Sequence, residues 1–138
     1  MTSNEPNIEA PLFTVPEYPL PSLTIDDLPP SWRTGTDKAG WTKLMPVQSK
    51  AMPYLMAGRE IMVQARTGSG KTGAFLLPIM ERINSVQKSC QALILTPTRE
   101  LARQIVDEAE VLRGDREINV VAVYGGVRYK KQLTAFKE

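Results

Sequence analysis

From Ser31 onward the apolar positions alternate between a helical period and short strand-like runs. The spacing predicts a helix over 31–39 and a second beginning near Pro46, whose fixed φ suits a first helical turn. Pro53 is expected to break or kink that second helix, and Gly58 to end it. Ile61-Met62-Val63-Gln64 reads as a short buried strand, followed by a Gly-rich turn and a long apolar helix from Lys71 to about Val86 with Pro78 inside it. Ala92-Leu93-Ile94-Leu95 reads as the next strand, and Thr98 suits the cap of a helix over 99–112 with Glu100 in its first turn. The run from Ile118 to Val123 predicts a third strand before Gly125-Gly126, and Arg128 to Glu138 starts another helix. Strand, helix, strand, helix, strand implies right-handed crossovers and an α/β fold, a parallel sheet flanked by helices.

The first thirty residues behave differently. Seven of the eleven prolines fall there, each removing a backbone donor and restricting the residue before it. Residues 1–30 are therefore expected to be a disordered, Pro-rich acidic leader, pinned in part by Phe13, Tyr18, Leu20 and Leu23, with residues 31–138 forming the folded unit. The leader carries five carboxylates and no Lys or Arg, so the rest of the chain holds 17 basic against 10 acidic side chains. Such a positive body is compatible with a polyanionic partner. Cys90 is the sole cysteine and histidine is absent, which excludes an internal disulfide, a zinc site of ordinary ligand spacing and a His-based triad. Neither a signal peptide nor an apolar run of membrane-spanning length occurs, so no membrane partner and a cytoplasmic location are expected, with the nucleus open for a eukaryote.

Ala65-Arg66-Thr67-Gly68-Ser69-Gly70-Lys71-Thr72 lies between a predicted strand and a predicted helix, the context a phosphate loop needs. Gly68 and Gly70 admit backbone conformations barred to other residues, so successive N–H groups curl around a phosphate at the positive end of the next helix. Lys71 supplies a point charge to the β- and γ-phosphates, and the Thr72 hydroxyl suits a Mg²⁺ ligand brought by ATP. The strict pattern begins with Gly, where this chain has Ala65.

The form A-x-T-G-S-G-K-T resembles the phosphate loop of DEAD-box RNA helicases, and three further blocks agree with that family. Gly40-Trp41-Thr42-Lys43-Leu44-Met45-Pro46-Val47-Gln48 is similar to its glutamine motif, Pro97-Thr98-Arg99-Glu100-Leu101-Ala102 reproduces its P-T-R-E-L-A block with Gln104 and Ile105 continuing it, and Gly125-Gly126 matches its next block. The resemblance implies the N-terminal part of a RecA-like P-loop NTPase lobe, α/β and incomplete. It implies ATP and Mg²⁺ as cofactors, and single-stranded or duplex RNA held by its sugar-phosphate backbone. Gln48 would read adenine, since a Gln amide pairs with the N6 amine and N7 together. Pro97, Thr98, Arg99, Gly125 and Gly126 would contact RNA, the first three at a helix N-terminus.

Two positions depart from the family pattern. Leu44 replaces the usual Pro, and Leu23 stands seventeen residues before Gly40 where an aromatic is usual, leaving Trp32, Phe13 or Tyr18 to support the base. The sequence contains no D-E-A-D or S-A-T block, so no catalytic residue is assigned. Glu100 and the Asp107-Glu108-Glu110 cluster read as a solvated helix face rather than a catalytic acid. The expected function is an ATP-dependent RNA helicase of which this chain is an N-terminal fragment, binding nucleotide and RNA weakly without turnover. A short non-catalytic binder and a P-loop NTPase outside RNA metabolism are the alternatives.

Overall fold

Among the described residues four helices surround one apolar core: α1 (Pro30–Lys38), α2 (Pro46–Met56), α3 (Lys71–Arg82) and α4 (Arg99–Leu112), preceded by a 3-10 turn at Ile25–Asp27. The computed structural model describes residues 18–126 and Thr134, so Phe13 and nearly all of the last expected helix lie outside the described residues. Helix α3 is central, packed against α2 on one side and α4 on the other, while α1 packs on α4. Trp32, Met52, Leu77 and Leu112 are fully buried, one from each helix. Gly35 makes the α1–α4 approach possible, because a Cβ there would lie 1.9 Å from the Leu112 carbonyl oxygen. Glu81 ties the layers together, accepting the Trp32 indole N–H at 2.5 Å and the Ser31 hydroxyl at 2.9 Å.

Pro53 neither breaks α2 nor ends it, and the helix runs on to Met56. A proline leaves the carbonyl four residues earlier without its helical donor. Here that carbonyl belongs to Ser49, and it accepts the N–H of Leu23 at 2.9 Å. The Ser49 hydroxyl in turn donates to the Leu23 carbonyl. Residues 18–28 are thus laid along α2: Leu20 N–H donates to the Tyr54 hydroxyl at 3.0 Å and Arg59 to the Tyr18 carbonyl at 3.1 Å. Leu28 is buried in the core, and Leu23 and Ile25 pack against it.

Helix α3 stops at Arg82, four residues short of the expected Val86. Ile83 is extended, with φ −71° and ψ 126°. Arg82 turns back to donate to the carbonyls of Leu55 and Met56, satisfying the C-terminal end of α2.

The expected sheet is not formed among the described residues. No strand is assigned at 61–64, 92–95 or 118–123, and the first two segments carry no backbone hydrogen bond. Ile61 and Val63, with Ile94, Leu95 and Thr96, line one apolar cleft of about 400 Å³, and no ladder bond joins the two segments. Ile94 packs toward the core, yet Met62, Leu93 and Leu95 are exposed.

Candidate nucleotide and nucleic-acid site

The phosphate loop is shaped by two glycines. Gly68 and Gly70 have φ of 75° and 83°, in the left-handed region, and Gly70 is the residue that caps α3. Space around Gly68 is open, whereas a Cβ on Gly70 would meet Gln48 Nε2 at 2.6 Å. Lys71 folds back over the loop, its ammonium donating to the carbonyls of Ala65 at 2.5 Å and Arg66 at 2.7 Å. Arg66, Thr67 and Gly68 are exposed, while Ser69 to Thr72 are half-buried. The Ser69 hydroxyl is buried with no hydrogen-bond partner. A phosphate suits this loop: it would satisfy that hydroxyl, meet the free N–H groups at the start of α3 and draw the Lys71 ammonium outward.

Gln48 stands beside the loop, 3% exposed. Its Oε1 accepts the Met45 N–H at 2.8 Å, half of a capping box for α2, and its Nε2 donates to the Gly70 carbonyl at 3.2 Å. One lone pair and one N–H of the amide remain, the pair an adenine edge requires. Gln48 borders a hollow of about 300 Å³ lined also by Gly40, Trp41, Thr42, Lys43 and Met45. Trp41 forms its wall and also packs against Gly73, where a Cβ would lie 2.5 Å from the indole.

Thr72 has a neighbour that the sequence reading assigned to solvent. Glu108, half-buried on α4, faces the first turn of α3. Burial pushes its carboxyl above the ordinary value, opposed by hydrogen bonding from the Thr72 hydroxyl and the Gly73 N–H. Asp107 and Glu110 are exposed, as expected. Among the described residues no cluster of His, Cys, Asp and Glu could hold a metal, so Thr72 would bind Mg²⁺ only together with nucleotide phosphates.

The candidate RNA residues come together at the far end of α4. Thr98 caps the helix, its hydroxyl accepting the Leu101 N–H at 3.2 Å, and Pro97, Thr98 and Arg99 are all exposed. The Arg99 guanidinium covers Gly126, whose φ is 85°, and a Cβ there would lie 2.9 Å from Arg99 Nη1. Gly125 has open space around it. Two further residues were missed by sequence reading: Arg103 donates through Nε to the Tyr124 hydroxyl at 2.9 Å, with its guanidinium 5.3 Å from the ring centroid. The signal was available, as Arg103 follows Arg99 at the i, i+4 spacing of one helix face and Tyr124 immediately precedes the glycine pair. Hydrogen bonding to Tyr124 holds the Arg103 pKa above its ordinary value.

A left-handed glycine turn at a helix N-terminus, carrying Lys and Thr and braced by a glutamine, defines a P-loop nucleotide-binding protein. The profile of the DEAD/DEAH box helicase family matches residues 45–138, and the chain belongs to that family. It is similar to the ATP-dependent RNA helicase DeaD of Escherichia coli (strain K12), with 43% identity over 100 residues, covering 72% of this chain and 16% of that protein. The DEAD-box ATP-dependent RNA helicase RhpA of Helicobacter pylori (strain B128) is 41% identical over 121 residues, covering 88% of this chain and 24% of that one. The chain thus spans a quarter or less of the length of these relatives. Its fold matches the crystal structure of a DEAD box protein from Methanococcus jannaschii at a TM-score of 0.77 and 34% identity, covering 85% of this chain and 33% of that one. A Chaetomium thermophilum RNA helicase bound to ADP matches at a TM-score of 0.73 and 33% identity, covering 86% and 30% respectively. Among the described residues no helix is long and apolar enough to cross a membrane.

Proposed function

We propose that this chain is the nucleotide-binding part of an ATP-dependent RNA helicase and that by itself it holds Mg²⁺-ATP and RNA without turnover. One observation carries the nucleotide half: the loop around Gly68 and Gly70 is preformed at the start of α3, with Gln48 fixed against it and the hollow beside Trp41 next in line. Phosphates occupy the loop, adenine the hollow, and Thr72 shares Mg²⁺ with the phosphates. The nucleic-acid half rests on the convergence of Thr98, Arg99 and Gly126 on one exposed surface. In the complete lobe the segments 61–64, 92–95 and 118–123 become strands of a parallel sheet. A cytoplasmic location, or a nuclear one in a eukaryote, goes with this reading.

Phosphoryl transfer needs groups that orient water and stabilise charge on the transferring phosphate. The acidic tetrad that names the family is absent from the sequence, so binding without hydrolysis follows. Titration with fluorescent ATP and GTP analogues tests this: the chain should prefer ATP, Lys71→Ala should abolish binding, and no Mg²⁺-dependent hydrolysis should appear. Hydrolysis lost in the Lys71→Ala variant would show that the chain is catalytic alone.

A further inference from the structure

The arginines among the described residues differ in what their guanidinium groups meet, Arg113 pairing with the Glu110 carboxylate. Those with a structural duty spend their guanidinium fork on backbone carbonyls: Arg82 on Leu55 and Met56, Arg116 on Leu112 and Arg113. Arg103 does not. Among the described residues it uses Nε alone, on the Tyr124 hydroxyl, while the ring beneath holds its plane. Four N–H donors of the fork remain, and among the described residues they form no hydrogen bond or ion pair, although the Glu100 and Asp107 carboxylates of the same helix act on the guanidinium electrostatically. Among the described residues Arg99 likewise forms no ion pair, and it lies one helical turn away, about 6 Å along the axis.

We propose that Arg103, oriented by Tyr124, is a second phosphate-binding position on the nucleic-acid face, so that Arg99 and Arg103 hold successive phosphates of one RNA strand. A planar fork aimed at solvent from an aromatic platform suits bidentate pairing with a phosphodiester, which gives affinity and register without reading bases. The turn from Tyr124 to Gly126 sets the track, with Gly126 keeping the space beside Arg99 open. This inference rests on the nucleic-acid half of the proposed function.

The test is fluorescence anisotropy of a labelled oligouridylate with the 138-residue chain over a series of salt concentrations. Each phosphate contact to a single strand contributes about 0.7 to the slope of log affinity against log salt. Arg103→Ala should flatten the slope by about that amount and weaken binding by roughly three- to tenfold at low salt, with the urea unfolding midpoint unchanged. Arg103→Lys should keep the slope and lose part of the affinity, because the charge survives and the fork does not. An unaltered slope in Arg103→Ala, beside a flattened one in Arg99→Ala, would make Arg103 a strut and overturn this inference alone. Unchanged binding in both variants, or no RNA binding by the unsubstituted chain, would overturn the nucleic-acid reading and this inference with it.

Discussion

The two halves of the site are built by different means. Around the phosphate loop, shape comes from backbone: a left-handed glycine caps α3, a buried glutamine holds the Gly70 carbonyl, and the lysine lies folded on loop carbonyls. At the N-terminus of α4 the working groups are side chains in water, and Thr98, Arg99 and Arg103 are all exposed. A nucleotide must be enclosed by a fixed cage, whereas a polymer backbone is met along an open track. Substitution should therefore damage the first region through conformation and the second through charge.

Gly70 and Gly126 sharpen that contrast, since both have positive φ and both would aim a Cβ at a functional side chain. The largest loss is expected for Gly70→Ala. The left-handed penalty of about 1–2 kcal/mol is joined by displacement of buried Gln48, for a total of roughly 2–4 kcal/mol in urea unfolding, with nucleotide binding lost. Gln48→Ala comes next. It leaves the Met45 N–H without its partner and takes one of two donors from the Gly70 carbonyl, which keeps the Ala74 N–H; this should cost about 1–3 kcal/mol and erase the preference for ATP over GTP in competition titrations. Gly126→Ala should cost about 1–2 kcal/mol at most, because the Arg99 tip swings aside in solvent, and RNA affinity should fall while ATP affinity holds. Equal losses of ATP binding in the two glycine variants would end the division drawn between the regions.

The smallest effects are pH-linked and opposite in sign. Glu108 titrates above its ordinary 4.5 in the folded chain, so its contribution to stability grows as pH falls through its folded value toward 4.5. Asp27 accepts both the N–H and hydroxyl of Thr24 and titrates below its ordinary 3.8. Its contribution is present above 3.8 and lost as pH falls through its lowered value. Carboxyl chemical shifts followed by NMR should show the two midpoints displaced in opposite directions.

Local signals were legible in the sequence. The helix at 99–112 is found at Arg99–Leu112 with Thr98 as its cap, and α2 starts at Pro46, because caps and proline act within one turn. The phosphate loop was readable for the same reason. Long-range partners were not. The apolar runs at 61–64 and 92–95 looked like strands, but ladder bonds depend on neighbours distant in sequence, and the described residues supply none. Glu108 read as one of several carboxylates on a wet helix face, and only the packing of α4 on α3 brings it to Thr72. Gln48 was read for the base it would recognise, while its second duty of bracing Met45 and Gly70 depends on a fold-level juxtaposition.

The proline in α2 has a wider consequence. By silencing one donor it turns the Ser49 carbonyl into a socket, and the plug is Leu23, far upstream in the chain. Ser49 adjoins Gln48, so the middle of α2 and the Gln48 amide share one splint. Proteolytic trimming past Leu23 would unplug the socket, leaving a mid-helix carbonyl to water. The Leu23 amide thus serves as a built-in reporter: its hydrogen-exchange protection reads whether the leader is seated, and with it whether the Gln48 side of α2 is held in shape.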